Sequence, residues 1–218
     1  MKVMRKISFL LSLLFILLST SIVFAKPPNP GGGNEDFVPI LYSVCIDPGH
    51  GGSEVGSVNG SLKESTVNLE VANLLKNKLM NYGYNPGLIF MTRTDDSDKS
   101  NADRYNFCNS QKTAVLISIH HNGSSDSSVD YTSALYFKGE DKEIANYVTQ
   151  NISQKLVLPN NGIRRYASGV LLKSKMPATI SEGFFLTSSD EYNLIKNSDR
   201  LDQEAEALFS AINTFFGK

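Results

Sequence analysis

The segment Ala114–His120, AVLISIH, constrains the fold more than any other part of the chain. It is apolar but for Ser118 and its terminal histidine, with none of the alternation of a half-exposed strand. That pattern fits a strand buried on both faces, as at the centre of a parallel sheet. Parallel neighbours need helical crossovers, and the flanking sequence supplies them. ILYSVCI (Ile40–Ile46) reads as a first strand, ended by Asp-Pro-Gly, and Glu64–Tyr82 as a helix with Val67, Val71, Leu75 and Leu79 on one face and Gly83 as its stop. GLIFMTR (Gly87–Arg93) reads as a strand and Ser100–Gln111 as a helix capped by Ser100 or Asn101. TSALYFK, GVLLK and ATISEG read as further strands, Lys142–Leu156 as a helix, and Leu201, Ala205, Leu208, Ile212 and Phe215 mark a closing helix. The expectation is one α/β domain: a mostly parallel twisted sheet of about six strands, with helices on both faces.

Residues 1–25 stand apart from this pattern. Lys2, Arg5 and Lys6 precede an apolar run from about Ile7 to Leu18, and Val23 and Ala25 are small residues at a cleavage position. These are the three regions of a secretory signal peptide. The run is close to bilayer-spanning length, but cleavage after Ala25 leaves no membrane anchor. Residues 26–36 form a Pro/Gly linker, and residues 37–218 the folded domain, expected to be a monomer. The formal charge is −1, and loss of the leader's three basic residues makes the exported chain more acidic. There is no basic stripe to neutralise phosphates, which excludes nucleic acid as a partner. Cys45 falls in the first strand and Cys108 in a helix, and they are read as buried free thiols.

Parallel sheets place ligands at the carboxyl ends of their strands. His50 follows the first strand in DPGHGG, the pair His120–His121 ends the central strand, and Glu182 ends the strand ATISE. Glu64 opens the first helix. Two histidines and one glutamate form a known catalytic zinc set that leaves a fourth position open. His50, Glu64 and one of the two adjacent histidines supply it. The glycines around His50 allow a tight turn without side chains to block the site. Asp47 is expected to bond turn amides or orient a ligand imidazole. Alternation along a strand admits only one residue of the His120–His121 pair, and spacing does not choose between them.

The ordered motifs IDPGHGG, LKESTVNLEVANLLKNKL, MTRTDD, ADRYNFCN, SIHHN and GIRRYASGVLLKSKMPATISEGFFLTS resemble the zinc-dependent N-acetylmuramoyl-L-alanine amidases of the type-3 amidase family, from about Val44 to the C-terminus. The resemblance implies His50, Glu64 and His120 as ligands of one Zn2+ and Glu182 as the catalytic carboxylate. It implies a secreted cell-wall hydrolase that cleaves the amide between N-acetylmuramic acid and L-alanine in peptidoglycan. Burial near Phe184 and Phe185 is expected to tune Glu182. The alternatives are another zinc peptidase or deacetylase of the wall, or a wall-binding module without chemistry; retention of all four site residues weighs against the module.

The chain departs from the family pattern in two places. His121 stands where the family usually has alanine, and is read as a non-ligand that contacts substrate or points into the helices behind the sheet. Gly183 directly follows Glu182, where the family more often has Glu-x-Gly-Phe. Relatives with a self-inhibitory plug carry a long helical insertion after the histidine motif. Here only a short HNGSSDSSVDY segment follows, so no plug is expected. Arg93, Arg164, Arg165 and Lys173 are candidate contacts for peptide carboxylates.

Overall fold

The computed structural model describes residues 37–218; the signal peptide and linker expected over residues 1–36 lie outside them. Along the chain run β1 (Val44–Pro48), β2 (Val58–Asn59), β3 (Leu62–Lys63), α1 (Glu64–Tyr82), β4 (Ile89–Met91), α2 (Asn101–Ser110), β5 (Val115–Asn122), β6 (Thr132–Tyr136), α3 (Asp141–Leu156), β7 (Asn160–Arg165), α4 (Gly169–Lys173), β8 (Ala178–Phe185), α5 (Ser189–Asn197) and α6 (Arg200–Phe215). Six strands form one sheet in the order β4-β1-β5-β8-β6-β7, and β2 and β3 make a small hairpin. The first four are parallel; β6 runs antiparallel to β8, and β7 parallel to β6. The expected α/β architecture, with β5 at the centre, is the one observed.

The sheet's two faces are built differently. Val115, Ile117 and Ile119 of β5 point to a large core shared with Val67, Val71 and Leu75 of α1, Ile144, Val148 and Ile152 of α3, and Leu208 and Ile212 of α6. The apolar stripe of α1 lies on this core, and Gly83, at φ 106°, ends the helix by donating its N–H to Leu79 and Met80. Leu116 points the other way, into a smaller cluster with Cys45, Ala178, Ile180, Cys108 of α2, and Val170 and Leu171 of α4. Strand alternation therefore sends His120 and His121 to opposite faces.

Several expectations need correction. Cys45 and Cys108 are joined in a disulfide, with Cα atoms 5.7 Å apart, because α2 packs on the face of β1 that carries Cys45. The first strand begins at Val44, since Tyr42 takes φ 63° and Ile40 and Leu41 are left exposed. Pro86–Leu88 is a turn of 3-10 helix, which shortens the next strand to Ile89–Met91. GVLLK is the helix α4 rather than a strand, with the Ser168 hydroxyl accepting the Val170 N–H. A short apolar run buried on one side satisfies either geometry. Strand β7 and helix α5 were not anticipated. NNGIRR is largely exposed at the sheet edge and has no apolar alternation to mark it.

Candidate metal centre

Strands β1, β5 and β8 lie side by side and parallel, so their carboxyl ends meet along one edge. His50 is two residues beyond β1, Glu64 is the first residue of α1, and His120 pairs directly with Glu182 across β5 and β8. Donor atoms of His50, Glu64 and His120 all lie within 4.8 Å of one another. Glu64 Oε1 sits 3.2 Å from His50 Nε2 and 3.1 Å from His120 Nδ1. His121 takes no part: its side chain turns to the helical face and bonds Asn68 and Glu204. His50, Glu64 and His120 thus come together, with Glu182 beside them.

The local backbone is arranged for this convergence. A Cβ on Gly49 would run into the His120 imidazole, and one on Gly56 into the Glu64 carboxylate. His50 itself adopts φ 57°, a left-handed conformation that costs a non-glycine residue about 1–2 kcal/mol. Two buried arginines hold the turn in place. Arg104 of α2 donates to the carbonyls of Pro48 (2.7 Å) and His50 (2.9 Å), and Arg93 to those of Pro48 (2.9 Å) and Gly49 (2.8 Å). Asp47 does not bond turn amides or an imidazole. Its carboxylate is enclosed by Thr92, Arg104 and Ser118, which fixes Arg104 against β1.

Charge in the cluster follows from burial and contact. Burial by itself raises the Glu64 pKa, but hydrogen bonds with His120 and His50 outweigh it and hold the carboxyl far below the ordinary range. His120 shows the reciprocal effect: burial disfavours its charge, yet the Glu64 contact and the nearby Glu182 carboxylate raise its pKa. Glu182 is raised above the usual carboxylate range, chiefly by burial, which the neighbouring imidazoles only partly offset. Two imidazole nitrogens and one ionised carboxylate oxygen suit a zinc ion and leave a coordination position free for water. The donor set and the glycine clearances around it fit such an ion.

Beside the cluster, on the α2/α4 face, lies a cavity of about 450 Å³ whose lining includes His50, His120, Glu182, Ile180, Leu135 and Tyr166. The apolar wall next to Glu182 is therefore not made by Phe184 and Phe185. The Phe184 ring packs on His121, with centroids 4.2 Å apart, and Phe185 packs on Tyr131. The register slips here: His120 pairs with Glu182, whereas Asn122 pairs with Phe185. The extra β8 residue is a bulge, placed where the Gly183 departure falls. Arg93, Arg164, Arg165 and Lys173 do not line the cavity. Arg93 is buried on backbone carbonyls, and Arg165 stacks on Phe137, 4.4 Å from the ring centroid. Sequence reasoning passed over Arg104. The available signal was its four-residue spacing from Cys108, which puts a charge on the buried face of α2 and demands a buried partner.

Comparison with known proteins identifies the family and the fold. The Amidase_3 family model, described as N-acetylmuramoyl-L-alanine amidase, matches residues 44–214. The N-acetylmuramoyl-L-alanine amidase LytC of Bacillus subtilis strain 168 is 28% identical over 80% of this chain; the match spans 35% of LytC, about a third of its length. The germination-specific N-acetylmuramoyl-L-alanine amidase of the same organism is 25% identical, with 99% of this chain and 96% of that protein aligned. Among solved structures, an N-acetylmuramoyl-L-alanine amidase from Clostridium difficile 630 superposes with a TM-score of 0.75 at 31% identity, covering 82% of this chain and 98% of that one. With a family match that spans most of its length and a sheet edge carrying the expected side chains, this chain belongs to the Amidase_3 family of N-acetylmuramoyl-L-alanine amidases.

Proposed function

We propose that this protein is a secreted, zinc-dependent amidase that hydrolyses the bond between N-acetylmuramic acid and L-alanine in peptidoglycan. The observation that carries the reading is the meeting of His50, Glu64 and His120 at one sheet edge, with Glu182 paired to His120 on the same cavity. His50, Glu64 and His120 would hold the ion. Zinc in such a site acts as a Lewis acid toward the scissile carbonyl and lowers the pKa of water.

The chain's own groups do the rest. Glu182 accepts a proton from the attacking water as the new carbon–oxygen bond forms. It then gives that proton to the alanine nitrogen as the carbon–nitrogen bond breaks. A carboxyl whose pKa burial has raised is matched to this two-way transfer, which typically contributes about 10²–10⁴ in rate. The cavity on the α2/α4 face provides room for the substrate beside the scissile bond.

Two further features support export and an open site. The Cys45–Cys108 disulfide suits an oxidising compartment, in keeping with the signal peptide expected at the N-terminus. The segment between β5 and β6 contributes no residue to the cavity lining, so the mature protein should be active without an activator.

The test is mass spectrometry of muropeptides after digestion of purified peptidoglycan, with and without chelator. The reading predicts intact stem peptides with a free L-alanine amine, and their loss on chelation with recovery on zinc addition. Cleavage within the stem peptide, loss of acetyl groups alone, or wall binding with no product would point to the peptidase, deacetylase or binding-module alternatives.

A further inference from the structure

Behind the metal centre, on the helical face, lies a buried polar cluster that the proposed chemistry does not use. The side chains of His121 and Glu204 are wholly buried, and Asn68 with them. Asn68 Nδ2 donates to the Gly49 carbonyl at 3.0 Å, which leaves its Oδ1 to accept from His121 Nδ1 at 2.7 Å. The other ring nitrogen, Nε2, meets Glu204 Oε2 of α6 at 2.9 Å. The main-chain N–H of His121 donates to Glu64 Oε1 at 3.1 Å, the same oxygen that faces His50 and His120. The cluster thus touches the metal centre twice: at the carboxylate of Glu64, and at the carbonyl beside His50.

The same cluster accounts for both departures from the family pattern. Glu204 Oε1 is buried and has no partner among the described residues. A Cβ at position 183 would collide with that oxygen, so Gly183 is what admits the carboxylate. The bulge in β8 places Gly183 against Glu204 and the Phe184 ring against His121. A buried carboxylate without a charged or hydrogen-bonding partner is strongly disfavoured, and His121 is the partner. His121, Gly183 and Glu204 form one unit, although the chain separates them widely.

We infer that His121 and Glu204 are positioning residues for the metal centre, holding Glu64 and the Gly49–His50 turn from behind through the His121 main chain and Asn68. This inference rests on the proposed metal site. Outer-shell partners of this kind typically change metal affinity by about 10–100-fold when removed.

The test measures the zinc dissociation constant by competition with a chelating dye, alongside thermal midpoints. The proteins compared are the wild type, Glu204→Gln, the double variant His121→Ala/Glu204→Ala, and Leu75→Ala as a destabilised control remote from the site. The double variant removes both partners, so it leaves no orphaned charge. It should bind zinc about 10–100-fold more weakly. Glu204→Gln, whose side-chain amide can donate to Nε2 of a neutral ring, should retain wild-type affinity, and Leu75→Ala should lower the midpoint without changing zinc affinity. A folded double variant with wild-type zinc affinity overturns the inference. Failure of every cluster variant to fold overturns it too, because the pair would then belong to the core alone. Absence of zinc binding in the wild type would instead defeat the metal site itself.

Discussion

The sheet's two faces divide the work of the molecule. On one, the long helices α1, α3 and α6 close a continuous apolar core against β1, β5 and β8. On the other, α2 and α4 cover less, the apolar cluster is smaller, and the strand ends open into a cavity lined with charge. What the second face lacks in apolar area it replaces with fixed links: a disulfide from β1 to α2, and Arg104 bound to the turn that carries His50. Stability resides mainly behind the sheet and chemistry in front of it. Outside the His121–Glu204 cluster, changes on the two faces should therefore be separable.

The largest effect should come from His50→Ala, which removes a donor on the cavity face. We expect loss of bound zinc and of amidase activity together, with the far-ultraviolet circular dichroism spectrum preserved; full activity would break the comparison. Leu75→Ala removes a fully buried side chain on the helical face. It should cost about 2–5 kcal/mol in denaturant titrations, while kcat/KM at low temperature stays near wild type. Replacing both Cys45 and Cys108 by alanine should lower stability by about 2–4 kcal/mol. Because α2 carries Arg104, this change on the cavity face should also reduce activity, which a Leu75 change of equal cost should not. The smallest effect is Ser100→Ala. Ser100 and Asp103 form a capping box on α2, and its loss should cost about 1 kcal/mol, read as a small drop in thermal midpoint.

The part of this architecture that was legible in the sequence was the part with strong periodicity. The bounds of α1 were clear because its buried residues recur every four positions and Gly83 follows. The strand β5 was clear because its first five residues, Val115–Ile119, are apolar but for Ser118. The cavity face was harder to read. α4 is too short to show a helical period, β7 is an exposed edge strand with glycine and arginine in place of apolar alternation, and the cysteines meet only because α2 packs across β1. Of the site, the four side chains that now line one edge were legible as strand-end polar residues and through family motifs. Their supports were not. Arg104, Asn68 and Glu204 act through tertiary contacts with residues far along the chain, and no local pattern announces such contacts. The fate of His121 followed from strand alternation only once β5 was known to continue regularly through both histidines.

The central claim is that three side chains hold one zinc ion while a fourth, Glu182, is reserved for the proton. The most direct measurement is the zinc content of purified Glu182→Gln, assayed together with its turnover of peptidoglycan. The account predicts one zinc per chain and no detectable release of stem peptides. Zinc-free protein would make Glu182 a ligand, and a zinc-loaded variant that still turned over at the wild-type rate would remove it from the chemistry; either result would contradict the account.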